Sequence, residues 1–507
     1  MRKPDIRTGP RHPRIAAAGY EITRRLSERA LASRGLHKVN GEFAQATIAS
    51  IRERLQRGET IYIAGLACPG THNTGVALVE VTQKDGPRLI VNNEEERFSG
   101  NKHTNEFPQH ALDDMRKVLR RMGRDIGDVA AFVTTWDYPA LLPMLIRTSL
   151  EEAPASIKLL RAPIAPAINL RQMDQVRRIS RRLGKMYGLG EQLPLICMPH
   201  HDNHAWYSFT ASPFADLRER VAIAVLDGTG DVGSISLYVA ENGEMKRLYC
   251  NESLFDSLGA FYTVISSSQG GWTWLSSEGR YMGAAAWGDM NRATNPYYQR
   301  LKAVLQLGPE GRVQLNRAMA NWFADPADNP YKQPLIDILG PPLRPDQLWN
   351  PDAVLRVEDI NHRPDTKDRV DKAAATQLVF EDAMIHVIDH LLRITGTDRL
   401  VLTGGVALNA LGNMRLLEHF DEAWFEQAQQ RKTRLHMWVP PVPGDPGVPI
   451  GAAWLIAHMA GAPRGAPLSH AFYCGLPPSN TDIAAALNAD DVASIVIGNV
   501  TTSEGRD

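Results

Sequence analysis

The chain has 507 residues, and its 56 lysines and arginines nearly balance 57 aspartates and glutamates, for a formal net charge of −1. That length predicts two to four domains, and the charge balance leaves no global attraction for nucleic acid or an acidic partner. No apolar run approaches the length of a membrane span, the basic start Met1-Arg2-Lys3-Pro4-Asp5 lacks the apolar core of a secretory signal, and four scattered cysteines (Cys68, Cys197, Cys250, Cys474) fit a reducing cytoplasm rather than a disulfide scaffold.

A helical N-terminal extension is predicted over 1–58. It is basic: residues 1 to 60 hold 13 Lys/Arg against 6 Asp/Glu. A pattern then appears twice. The first copy is the strand Ile61 to Leu66, a turn through Cys68 to Asn73, the strand Gly75 to Val81 and the strand Leu89 to Val91. The second is Val221 to Leu226, a turn through Asp227 to Asp231, then Ser234 to Val239 and Met245 to Tyr249. Enrichment in β-branched residues and alternation mark the strands. Helices follow, over His110 to Met122 in the first half and Gly259 to Ser267 in the second. Ala130 to Thr134, Leu193 to Cys197 and Leu400 to Leu402 read as further strands. Duplication on this scale fixes the architecture: two matching α/β lobes, expected over 60–215 and 220–460. A three-stranded meander followed by αβ units is the ribonuclease-H-like layout of actin, Hsp70 and sugar kinases (the ASKHA fold), which holds a nucleotide between its lobes.

The segment Ile157 to Lys185 is also basic, with Arg177-Arg178 and Arg181-Arg182 on an expected helix. A solvated helix face is the simpler reading. A rim attracting phosphorylated substrates is the other.

After the strand Leu193 to Cys197 comes Pro199-His200-His201-Asp202-Asn203-His204-Ala205. If these residues open a helix, His200 and His204 share one face. Imidazoles four apart suit a transition metal such as Fe(II) or Zn. A third ligand must come from elsewhere, and Asp445, within Pro440 to Gly447, is the best candidate. A polar helix cap with surface histidines explains the same spacing without a metal. Next, Gly228-Thr229-Gly230-Asp231-Val232-Gly233 matches a dinucleotide fingerprint but leads into a strand, whereas that fingerprint must open a helix. A hairpin loop whose amides hold phosphate fits better. Glu278-Gly279-Arg280 is expected in a loop carrying an acid and a guanidinium to a cleft. Thr403-Gly404-Gly405 turns from strand to helix, either to let backbone approach a phosphate or to pack tightly, and Asn409 stands where it could reach a ribose or base.

Six motifs in order resemble the O-carbamoyltransferases of the nodulation-protein-U and cephem-antibiotic type, over about residues 60 to 460. They are His72 with Gly75 to Ala77; Glu95-Glu96-Arg97-Phe98 with Lys102 and Phe107-Pro108; His200-His201-x-x-His204-Ala205; Asp227-Gly228-x-Gly230; Glu278-Gly279-Arg280-x-Met282-Gly283; and Gly404 to Asn409 with Pro440-Pro441 and Gly444-Asp445. The histidine-bearing lobe is also similar to the universal tRNA threonylcarbamoyl transferase and the hydrogenase-maturation carbamoyltransferase. The resemblance implies that carbamoyl phosphate and ATP form carbamoyl-adenylate in a C-terminal YrdC-like domain, and that a hydroxyl of a small acceptor then takes the carbamoyl group beside a divalent iron. It further implies His200, His204 and Asp445 as metal ligands, with Asp227 a further candidate. Asp227, Gly228, Gly230, Glu278, Gly404, Gly405 and Asn409 fall on the nucleotide, and His72 is the general base. Where the family has lysine in its Glu-Gly-Lys motif, this chain has Arg280.

Only about 45 residues follow Ala460, fewer than a domain of ordinary size needs. Residues 470–507 look like the start of the YrdC-like domain, with a helix over Thr481 to Leu487 and a strand over Ala493 to Ile497. The expectation is a truncated member, a gene fragment, or half of a split enzyme whose YrdC-like domain comes from a separate chain. Two other readings stay open: an ATP-dependent kinase or ATPase of the same fold, and a non-catalytic remnant that binds nucleotide.

Overall fold

Two sheets with the same strand order organise the chain. The computed structural model describes residues 5–68, 72–161, 169–215, 219–270, 272–325, 329–343, 357–466, 468 and 480–489. The first sheet uses β1 (Leu36–Lys38), β2 (Ile61–Ala67), β3 (Gly75–Thr82), β4 (Gly86–Glu94), β5 (Val129–Thr134) and β6 (Leu195–Cys197), in the order β1-β6-β5-β2-β3-β4. The second uses β7 (Val221–Leu226), β8 (Ile235–Glu241) and β9 (Glu244–Cys250). A separate hairpin follows, β10 (Leu305–Leu307) with β11 (Val313–Leu315). The second sheet is completed by β12 (Arg399–Thr403) and β13 (His436–Trp438), in the order β13-β12-β7-β8-β9. In both, the opening strand pairs antiparallel with the second and parallel with the fourth, and the fifth extends the parallel side. This is the ribonuclease-H-like order twice, so the duplicated two-lobed α/β fold stands. The central strands β2 and β7 are apolar without alternation and buried along their whole length, as expected of strands covered on both faces.

Three sequence expectations change. The N-terminal extension is not wholly helical. Between the helices Pro13–Ala32 and Glu42–Gln56 it contributes β1, which pairs parallel with β6 and closes the edge of the first sheet. Glu278 to Gly283 is no loop but the start of the helix Glu278–Ala285. The helix Val448–Met459, assigned from sequence to the second lobe, packs on β2, β3 and the helix His200–Ala211 of the first. Its apolar residues surround it, as burial on all sides requires. Two glycines permit the approach: a Cβ on Gly65 would stand 1.8 Å from the Pro449 carbonyl oxygen, and one on Gly451 2.1 Å from that of Asn203. The expected helix near 481–487 appears as Asn480–Ala489. The expected strand at 493–497, and the rest of 490–507, lie outside the described residues.

The lobes are also tied by charge. Arg317, fully buried in the second lobe, donates to Glu151 and Glu152 at the end of the helix Tyr138–Glu151 and to the Ser253 hydroxyl. Arg7 forks onto Glu152 at 2.8 and 3.0 Å, and its carbonyl accepts from the Arg317 N–H. A paired, hydrogen-bonded cation is the form in which burial of charge is tolerated. No described helix is long and apolar enough to cross a membrane.

Candidate metal centre

The helix His200–Ala211 starts two residues after β6, with Pro199 before it and no side chain of its own to cap it. The cap comes from the other lobe. Asp231, in the turn after β7, accepts from the His200 N–H through one oxygen and from the Asp137 N–H, at 2.9 Å, through the other. Burial, then the neighbouring Asp137, pushes Asp231 up to about 7.

His200 Nδ1 lies 3.0 Å from the Thr135 carbonyl oxygen, which therefore accepts its proton and leaves Nε2 with the lone pair. Trp136 stacks on the His200 ring at 4.0 Å and 18°. His204, one turn on, faces the same point. Nε2 of His200 is 3.4 Å from Asp227 Oδ2 and 3.5 Å from Asp445 Oδ1, and Nε2 of His204 is 3.2 and 3.4 Å from the same two atoms. One donor atom from each of the four residues lies within 4.8 Å of the others, and all four residues are buried. His200 Nε2, both His204 nitrogens and Asp227 Oδ2 make no hydrogen bond. Buried polar atoms are rarely left so. Two imidazole nitrogens and two carboxylate oxygens converging on one point form a donor set for a divalent transition metal.

The electrostatics agree. Burial opposes charge on both histidines, yet Asp445 and Asp227 hold His200 well above the usual imidazole range, and the same carboxylates raise His204. Burial likewise opposes ionisation of Asp227 and Asp445, but the histidines hold both below the usual carboxylate range. Two buried carboxylates need positive charge among them, from protonated imidazoles or from a cation.

His72 stands at the rim, partly exposed, with Nε2 3.7 Å from Asp445 Oδ2 and Nδ1 2.7 Å from Asn73 Oδ1. The Asn73 oxygen also lies 3.3 Å from His103 Nδ1. The other oxygen of Asp227 accepts from the N–H groups of Gly228 and Gly405, at 2.7 and 3.1 Å. Asp227 thus joins the histidine group to the Gly404-Gly405 turn. Gly404 has φ +90°, and a Cβ there would meet the Leu226 carbonyl oxygen at 2.3 Å, so tight packing against β7 already demands glycine. A Cβ on Gly405 would meet only the Asp227 carboxylate, at 3.0 Å, and Gly228 faces open space. Gly230 lies against the His201 ring, where a Cβ would stand 2.6 Å from Nε2.

Two expected nucleotide contacts are engaged elsewhere. The Asn409 amide pairs with Gln377 in both directions at 3.0 Å and caps the helix Ala410–His419 at Gly412 N. It holds two helices together. Glu278 accepts from the Thr263 hydroxyl at 2.6 Å and from Leu275 N–H at 3.1 Å. The structure therefore brings His72, His200, His204, Asp227 and Asp445 together, with Gly405 attached through Asp227. Sequence reasoning missed the supports Thr135, Trp136 and Asp231. Asp231 was visible only as the end of the second copy's turn and as a residue inside the rejected dinucleotide pattern.

The duplicated α/β fold defines the two-lobed class of protein, and at the junction of its lobes this chain carries a buried histidine–carboxylate group that could hold a metal ion. Within it the family is shown by sequence: the carbamoyltransferase N-terminus profile matches residues 63–454, and the chain belongs to that family. Nodulation protein NolNO of Sinorhizobium fredii is 25% identical over 405 residues, 78% of this chain and 49% of its own length. An uncharacterized protein of Synechocystis is 27% identical over 76% of this chain and 56% of its own. The chain spans about half the length of these curated relatives. Among solved structures, HypF of T. kodakarensis is similar at 12% identity and a TM-score of 0.33, covering 80% of this chain and 49% of HypF.

Proposed function

We propose that this chain is the transfer unit of an O-carbamoyltransferase: the hydroxyl of a small acceptor bonds to the carbamoyl carbon of carbamoyl-adenylate, the mixed-anhydride C–O bond breaks, and AMP leaves. In this reading ATP and carbamoyl phosphate supply the adenylate through a YrdC-like domain, in the same protein or a partner chain. The observation that carries the reading is the group of four buried donors in a chain of the carbamoyltransferase family. His200, His204, Asp227 and Asp445 would hold a divalent metal, Fe(II) for preference. Bound there, the cation would supply Lewis-acid polarisation and offset the phosphate charge.

The chain's own residues do the rest. An alcohol attacks poorly until a base takes its proton. Asn73 Oδ1 accepts from His72 Nδ1–H, which leaves the Nε2 lone pair toward Asp445 and the acceptor side. Once His72 holds the proton, the Asp445 carboxylate stabilises the imidazolium. In this reading the Gly404-Gly405 turn holds the nucleotide, and the hydrogen bond from Gly405 N–H to Asp227 supports its lying beside the same group. A kinase of this fold needs no such histidine pair.

The test is mass spectrometry of hydroxyl acceptors incubated with the Fe(II)-loaded protein and carbamoyl-adenylate, formed in place by a YrdC-like domain from ATP and carbamoyl phosphate. Carbamoylated product is expected from the wild type and at least about a hundredfold less from His72→Asn. Equal product from both would reject His72 as the base.

A further inference from the structure

We propose that an arginine-lined trench on the first lobe binds the phosphate groups of a phosphorylated small acceptor. The helix Ile179–Tyr187 and the residue before it place Arg178, Arg181, Arg182 and Lys185 at positions i, i+3, i+4 and i+7, one face of a helix. With Arg34 and Arg177 they line a cavity of about 730 Å³ whose one carboxylate is Glu191. The chain as a whole is almost neutral, so this concentration of charge is local. Part of it is neutralised: Asp174 pairs with Arg177 and Arg178, and Glu191 lies 3.6 Å from Lys185 and 4.0 Å from Arg181. Arg34 and Arg182 have no acidic partner among the described residues. Arg182 lies with its guanidinium 3.7 Å over the Phe107 ring, which orients the fork. Planar forks at fixed spacing match phosphate oxygens in pairs, which ammonium groups do not.

A second cavity, about 510 Å³, shares Arg178 and Arg182 with the first and is also lined by Glu95, Glu106, Phe107 and His110. The Glu95 N–H donates to the Thr74 carbonyl at 2.9 Å, two residues from His72. A phosphate-bearing acceptor is the ligand class that the carbamoyl-transfer reading supplies for these arginines. That the anion belongs to an acceptor rests on the carbamoyl-transfer reading; that the trench binds phosphate does not.

Calorimetry on the full-length chain, without metal or donor, separates the two. Inorganic pyrophosphate is the probe, carbamoyl phosphate and an RNA hairpin are the comparison ligands, and Arg363→Gln is the control for loss of a remote surface charge. Pyrophosphate is expected to bind the wild type and the control alike. R178Q/R182Q and R181Q/K185Q should each weaken it about tenfold, in proteins that melt as the wild type does. The second pair leaves the Phe107 contact intact and keeps the test valid if the first misfolds. No binding below about 10 mM, or affinity unchanged in both pairs, would overturn the proposal. So would tighter binding of carbamoyl phosphate than of pyrophosphate, which would make the trench a donor site, or a loss confined to the RNA. Failure of carbamoyl transfer with an intact pyrophosphate isotherm would sink the function above and leave the trench standing.

Discussion

In the first lobe the turn after the opening strand carries His72 and Asn73, and the last strand leads into His200 and His204. In the second lobe the equivalent turn carries Asp227 and Asp231, and the chain reaches Asp445 a few residues after the last strand. One strand order thus delivers the histidines from the first lobe, Asp227 from the second, and Asp445 from the segment that crosses back from β13 onto the first. Duplication supplied the geometry, since the ends of parallel strands meet where two such sheets face each other. Divergence at those ends supplied the chemistry.

The sharpest way to break this comparison is to remove donors that different segments deliver. After anaerobic Fe(II) loading, His204→Ala and Asp445→Ala should both fall below about a tenth of wild-type metal content, measured by atomic emission. Full stoichiometry in either would show that these segments do not share one ion. The next effect is on stability. Arg317→Met leaves Glu151 and part of Glu152 buried without their partner, which costs about 3–5 kcal/mol. A urea midpoint unchanged from wild type would show that the buried ion group does not hold the lobes. A smaller effect is expected behind the histidine side. Trp136→Ala removes the ring that fixes His200 and should weaken Fe(II) about tenfold in chelator competition, with the fold intact. The smallest concerns acid. Burial lowers His458, whose ring lies 4.2 Å from that of Trp206. The unfolded chain then takes up that proton at higher pH than the folded one, so this contribution to stability is complete above about pH 6.5 and is lost as pH falls below it. His458→Gln should flatten the fall of the urea midpoint between about pH 7 and 5; a slope as steep as wild type would assign it to other groups.

Much of this was legible. The repeated meander and the spacing of His200 and His204 are local patterns, and Asp445 was reached by asking what could complete a pair. What escaped depended on contacts remote in sequence. The strand β1 is three residues long and lies between helices, so its pairing with β6 decides it. Helix Val448–Met459 shows no face in its sequence, and only Gly65 and Gly451 explain where it lodges. Asn409 has the chemistry of a ligand contact, but Gln377, 32 residues away, claims its amide. Trp136 and Asp231 carry no pattern that would single them out. They matter because one covers a ring and the other caps a helix from the opposite lobe.

The division of donors between lobes has a thermodynamic consequence. A cation held by His200, His204 and Asp445 on one side and by Asp227 on the other would be bound in full only at one separation of the lobes. Metal affinity and lobe separation are then linked equilibria, and linkage is reciprocal. A nucleotide or acceptor that draws the lobes together tightens the metal by the same factor by which the metal tightens that ligand. One that wedges them apart loosens both.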